Sequence, residues 1–309
     1  MSGEHHRTIS IGGLSLDIAL TLDSMIERVE ERYAGFLGDA SPEMEITLEI
    51  DASAPCFHPV WVDNPPVEAE GDLGIASLRG EGLSAVIDWD ARRAQARIPD
   101  SLAHLDLIVR IVLGGLLLRE GGTLLHAAAV RHDGFGLIFC GPSGAGKSTL
   151  AKISREAGEE ILSDEMVVVR RSGQGVRVFG TPFWKGSPTA APAGGLFLLE
   201  HAPTPRVQPV APARCLAEVL QAGGAPLALP AVQQAFFDAA ARLIKRIPTY
   251  RLAFAPDPGF WRAIDSLPEF SFFRPRRPAP TTLPKATAPA ALGPIPLRAR
   301  PPGRQGGTP

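Results

Sequence analysis

The chain has 309 residues, of which 45% are hydrophobic, 21% charged and 6% aromatic; that length allows about two domains at ~100–200 residues each, and that composition excludes wholesale disorder. The net charge of −2 conceals an asymmetry: seven of the 31 basic residues and no acidic residue lie from Arg274 onward, leaving 24 basic against 33 acidic residues before it. So acidic a body excludes a non-specific nucleic-acid binder. Three dispersed cysteines (Cys56, Cys140, Cys215) have no CxxC spacing, which excludes a disulfide framework or a zinc site and points to a reducing compartment. No early stretch joins a basic start to an apolar run and a small-residue cleavage site. The most apolar stretch, Leu102–Leu118, is broken by His104, Asp106 and Arg110, so it reads as a buried helix rather than a membrane span. The expectation is a cytoplasmic protein.

In chain order, Thr8–Leu22 alternates as two strands around Gly12-Gly13. Asp23–Leu37 has helical spacing, with Asp23 or Ser24 in N-cap position. Met44–Ile50 alternates as a strand, residues 53–75 have a loop composition, and Leu83–Trp89 with Ala94–Ile98 forms a hairpin. This predicts an N-terminal α+β module over 1–100, followed by a helix over 102–118 that Asp100 or Ser101 caps. A second domain over 101–274 opens with strands at Leu124–Val130 and Gly136–Cys140 and a helix at Lys147–Ala157. Strands near Glu160–Arg170 and Gly175–Gly180 follow, then a Pro/Gly/Ala loop over 181–195 and a strand at Leu196–Glu200. Helices at Ala211–Gln221 and Ala231–Ile247, a strand at Tyr250–Phe254 and a helix at Pro258–Leu267 complete it. The class is α/β with a mixed order. Residues 275–309 hold ten prolines, no acid and no aromatic, the composition of a disordered basic tail.

The strongest signal is Gly141-Pro142-Ser143-Gly144-Ala145-Gly146-Lys147-Ser148-Thr149, which fits GxxxxGK[ST] between an apolar strand and a helix. Such a loop turns successive backbone N–H groups toward phosphate oxygens, and its glycines allow the backbone conformations this requires. Lys147 would neutralise β- and γ-phosphates, and the Ser148 hydroxyl would ligate Mg²⁺. Lysine is scarce, five residues against 26 arginines, which makes its place in the motif more telling. Downstream, Glu160–Arg170 carries the pair Asp164-Glu165 only 17 residues after Lys147. One helix and one turn fill that gap, so the pair is expected beside the phosphates. There, one acid can accept a hydroxyl proton and the other help hold Mg²⁺. Upstream, His126 lies in the apolar strand that a hairpin folds back beside the loop. No LSGGQ-like signature is present, as a transporter ATPase would need, and 140 residues precede the loop, unlike a guanylate kinase.

A strand histidine, a hairpin, GxSGxGKS and an acidic pair one helix later resemble the catalytic domain of the HPr kinase/phosphorylase family. The likeness is closer still to its relatives found beside genes for peptide modification and exopolysaccharide formation. It covers about Leu124–Arg170, and looser similarity continues through Gly180–Trp184, Leu196–Glu200 and Pro248–Phe254. The resemblance implies a P-loop kinase domain similar to the nucleotide domain of phosphoenolpyruvate carboxykinase, using ATP and Mg²⁺. It implies Asp164 as base toward a serine hydroxyl, His126 as an active-site histidine and Lys147 as the charge on the phosphates. Ser148 and Glu165 would serve as metal ligands, Glu165 standing where the family usually has aspartate. The glycine/arginine-rich segment tied to phosphorylase activity has no counterpart, so the expectation is a kinase without phosphorolysis. Its partner would be a small protein or peptide bearing a serine, with no nucleic acid and no membrane; a homo-oligomer is compatible with this. A small-metabolite kinase and a non-catalytic, nucleotide-gated binding module are the alternative readings. Lys185, in the 181–195 loop, is a further cation that loop closure would bring to the phosphates.

Overall fold

Alternation sets the first sheet. Met44–Asp51 buries Met44, Ile46 and Leu48; Leu83–Asp88 buries Leu83, Ala85 and Ile87; Arg93–Pro99 buries Ala94, Ala96 and Ile98. A sheet with one dry and one wet face demands this period of two. The computed structural model describes residues 5–56, 67–173, 175–184 and 186–268. The described residues all fall in one unit. The basic proline-rich segment beyond them, and Lys185, lie outside the described residues. Seven strands, β1 (His5–Ile11), β2 (Leu14–Leu20), β3 (Met44–Asp51), β4 (Val67–Gly71), β5 (Ile75–Gly80), β6 (Leu83–Asp88) and β7 (Arg93–Pro99), form this sheet. Their order is β1-β2-β3-β7-β6-β5-β4, with β2–β3 and β3–β7 parallel. Gly12 and Gly13, at φ of +65° and +76°, make the tight β1–β2 turn.

Three local expectations differ from what forms. Helix α1 (Asp23–Arg32) starts after Leu22 with no side-chain cap, and a short 3₁₀ turn, Ala34–Phe36, replaces its expected last turn at Gly35. Strand β4 falls inside the segment that composition marks as loop; it is a sheet edge, where acidic residues such as Glu68 and Glu70 are tolerated. Asp100 pairs with Arg28 of α1, and Ser101 takes the N-cap position of helix α2 (Leu102–Arg119) without a side-chain bond. Helix α2 is buried almost all round and joins the two sheets in sequence. A mid-helix glycine costs ~1 kcal/mol against alanine. Gly115 is nevertheless required, because a Cβ there would sit 2.3 Å from the Trp89 indole, which donates to the Val112 carbonyl at 3.1 Å.

The second sheet comprises β8 (Thr123–His132), β9 (Phe135–Cys140), β10 (Glu160–Ser163), β11 (Met166–Ser172), β12 (Gly175–Phe179), β13 (Ala190–His201), β14 (Arg206–Pro209) and β15 (Thr249–Phe254). Strand β8 pairs along one edge with β9 and along the other with β10 and then β11. Strands β9, β13 and β15 run parallel, as strands with helical crossovers must. Strand β12 bridges β11 to β13, so β8, β11, β12, β13 and β9 close a circuit of pairings. Helices α3 (Lys147–Glu156) and α6 (Phe260–Asp265) pack on one apolar cluster with Phe139, Phe197 and Phe254. Helices α4 (Pro212–Gln221) and α5 (Pro230–Ile244) share the larger core with α2 and the first sheet. Strand β13 begins inside the segment expected to be loop, since its paired stretch Ala190–Pro192 is held by β12 rather than by its own composition. Among the described residues no helix is long and apolar enough to cross a membrane.

Candidate functional site

The glycine-rich loop leaves β9 at Cys140 and enters α3 at Lys147. Gly144 and Gly146 hold φ of +80° and +98°, the left-handed region that side chains disfavour. Packing adds a second constraint, since a Cβ at Gly146 would meet the Phe254 ring at 2.9 Å, and one at Gly141 would meet Ala145 Cβ at 2.7 Å. No side chain caps α3, so its first-turn N–H groups, which lack intrahelical acceptors, point at the loop mouth. Pro142, Ser143, Gly144, Ser148 and Thr149 are exposed around that mouth, while Ala145 and Lys147 are buried. The Lys147 ammonium donates to the Gly141 and Pro142 carbonyls at 2.8 and 3.3 Å. His201, at the end of β13, lies 3.0 Å from the Gly144 carbonyl and stacks on Phe254. Nothing in its local sequence marks His201; the parallel pairing of β13 with β9 and β15 brings it to the loop.

Asp164 and Glu165 interrupt what is otherwise one strand along β8. Ser163 pairs with Ala129, Met166 pairs with His126, and between them the Ala127 N–H donates to the Glu165 carbonyl at 3.0 Å. On its other edge Ala127 pairs with Cys140. The acids are therefore level with the start of the glycine-rich loop, two strand spacings or roughly 10 Å across the sheet. Asp164 is buried and Glu165 half-buried. Burial, reinforced by Asp164 and Asp106 and opposed by Arg110, holds the Glu165 carboxyl above its usual range. His126 Nδ1 lies 3.2 Å from the Ala222 carbonyl beyond α4; a carbonyl only accepts, so Nδ1 carries the proton.

Glu165 also lines a cavity of about 310 Å³ together with Arg32, Ala103, Asp106, Arg110, Phe183 and Trp184. Arg32 donates to Asp106 Oδ2 through Nε and Nη2 at 3.1 and 2.6 Å, and to the Pro182 carbonyl through Nη1 at 2.6 Å. The Tyr33 hydroxyl donates to Asp106 Oδ1. Burial first, and then the Asp106 carboxylate, push that phenol well above its usual range. In the sequence Asp106 and Arg110 appear only as interruptions of an apolar helix, and charges inside such a helix were the available signal of a lined cavity. A separate cluster sits at the opposite end of β9, where His132 stacks on Trp261 and lies between Asp265 at 2.9 Å and Glu159 at 3.1 Å.

The fold is thus a mixed α/β, two-sheet architecture with a strand, glycine-rich loop and helix beside an acidic strand interruption. Residues 102–269, more than half of the chain and the part that carries this site, match the model of the SynChlorMet cassette protein ScmC family, and the chain belongs to that family. No curated protein matches the chain. Among solved structures, the Hpr(Ser) kinase/phosphatase from Coxiella burnetii aligns with 11% identity over 42% of this chain and 84% of its own, with a TM-score of 0.24.

Proposed function

We propose that this protein is an ATP-dependent kinase that transfers the γ-phosphate to a serine hydroxyl of a small protein or peptide, without phosphorolysis. The observation that carries the reading is the level placement of Asp164 with the glycine-rich loop, through Ala127 and its two neighbours Glu165 and Cys140. The donor set fits a nucleotide triphosphate with its cation: left-handed glycines, an uncapped helix start, a buried lysine and an exposed hydroxyl at Ser148. Ser148 and Glu165 are the residues that would hold Mg²⁺, which when bound offsets charge on the phosphate oxygens. Residues 141–149 receive the phosphates through backbone N–H groups. Lys147 exchanges its carbonyl partners for phosphate oxygens and offsets charge that builds on the leaving β-phosphate. Asp164 accepts the hydroxyl proton as the new O–P bond forms and the bond to the β,γ-bridging oxygen breaks, leaving ADP. His126 is assigned to the acceptor side, its tautomer set by the Ala222 carbonyl.

The test is transfer of label from γ-labelled ATP to serine-bearing peptides. Asp164→Asn should lower transfer by about 10²–10⁴-fold, the usual worth of a general base, with nucleotide affinity retained. Undiminished transfer in that variant, or bound ATP that labels no acceptor, would remove the kinase reading.

A further inference from the structure

The cavity beside Asp164-Glu165 has a chemistry of its own. Its wall is balanced, with two guanidinium groups, Arg32 and Arg110, against two carboxylates, Asp106 and Glu165. Arg32 and Asp106 are engaged with each other, with Tyr33 and with the Pro182 carbonyl, so they hold the wall's shape. Arg110 and Glu165 bring the wall's other two opposite charges within electrostatic reach of each other. Phe183 and Trp184 supply the remaining face. Phe183 is buried, whereas Trp184 is 56% exposed and stands at φ +71°, a conformation costly for a bulky residue.

The loop carrying these aromatics is clamped at its neck. A Cβ on Gly180 would lie 1.9 Å from the Ser187 carbonyl, and one on Gly186 would lie 1.9 Å from the Thr181 carbonyl. The Ser187 N–H donates to Leu162 O at 3.0 Å and the Thr181 hydroxyl to Met166 O at 2.6 Å. Both anchors belong to the strand residues that flank Asp164-Glu165. The fold therefore fixes an exposed indole in register with the acids, and strain at Trp184 persists because the neck determines it.

Resting on the kinase reading above, we infer that this cavity is the acceptor subsite and that it takes a peptide segment of zero net charge with an apolar side chain against Trp184. Arg110 would donate to a backbone carbonyl of that segment. A net charge on the segment would meet one like charge for each opposite charge of that balanced wall, and so would gain no net attraction to offset its desolvation. A second nucleotide is disfavoured for the same reason, because its phosphates would meet two carboxylates as well as two guanidinium groups.

The experiment uses the full chain and three blocked nonapeptide libraries, each with a central serine and an uncharged dye. Their flanks are neutral and apolar in one, lysine-containing in the next and aspartate-containing in the third, and free serine serves as a fourth probe. Anisotropy without ATP should show the neutral library binding at least about tenfold more tightly than either charged one. Trp184→Ala, a change at an exposed position, should remove about tenfold of that affinity, and Arg110→Met should do likewise, while binding of a fluorescent ATP analogue stays as in the parent. Equal binding of charged and neutral libraries, binding of none, preference for free serine, or indifference to Trp184→Ala overturns the assignment. Label transfer from ATP separates the two readings. Peptide bound through Trp184 but never labelled sinks the kinase and leaves the subsite. Transfer that depends on Asp164 but ignores Trp184 and flank charge does the reverse.

Discussion

The glycine-rich loop and the cavity beside it are built in opposite ways. Nine consecutive residues, 141–149, make the loop. The seven residues of the cavity wall come from α1, α2, the β10–β11 interruption and the 180–187 loop. The first is a local device whose backbone conformation is dictated by its own glycines. The second exists because α1 docks on α2 through Arg32, Tyr33 and Asp106, and because Arg32 also bonds to Pro182, 150 residues away. One face of the site can therefore be lost without the other, and four perturbations break or sharpen that separation.

The largest effect is expected at the loop. Lys147→Met should cut phosphate transfer by about 10²–10³-fold, the scale for removing one preorganised charge-stabilising donor. Peptide binding to the cavity should change less than twofold, as read by steady-state kinetics beside anisotropy. Next, Gly186→Ala forces a Cβ against the Thr181 carbonyl and should cost about 3 kcal/mol, the upper range for overpacking, visible as a lowered thermal midpoint. Peptide affinity should fall while ATP-analogue affinity holds; equal loss of both would show that the two faces are one cooperative unit.

A smaller effect concerns pH. Glu160 Oε1 accepts from Thr189 and Ser187 at 2.5 and 3.0 Å, tying β10 to the residues just beyond the aromatic loop. The Thr189 bond foremost, then Ser187 and Arg131, holds its carboxyl below the ordinary value of 4.5. A depressed folded-state value means the stabilisation is present above 4.5 and fades as pH falls through the folded value. Glu160→Gln should thus be less stable than the parent at neutral pH, and the gap should close as denaturant titrations are repeated below pH 4.5. The smallest effect is at His201, whose bond to the Gly144 carbonyl braces the loop. His201→Asn should weaken ATP-analogue binding by about 2–10-fold, the worth of one hydrogen bond, with peptide binding unaffected.

Much of the second half was legible from its residues. The apolar run before Gly141, the glycine spacing, Lys147 and the acids 17 residues later placed a strand, loop, helix and strand where they occur. The hairpins at Gly12-Gly13 and between β6 and β7 were equally plain, because turns of two to four residues and period-two alternation act over neighbours. Strands β4 and β14 were not, being short edge segments rich in polar residues whose pairing comes from β5 and β15. His201 and Arg32 carried no local mark, since each acquires its partner through a contact between distant segments.

What the chain by itself determined is the order of its elements and a local motif with the stereochemistry of an anion cradle, because backbone torsions and side-chain periodicity depend on adjacent residues. The 17-residue spacing brought Asp164 toward that motif; the tertiary structure decided the strand register that sets it level there and that Arg110, Glu165 and Trp184 share one cavity. Those juxtapositions follow from strand register and from helix docking, where burial and charge pairing join residues that the sequence holds far apart.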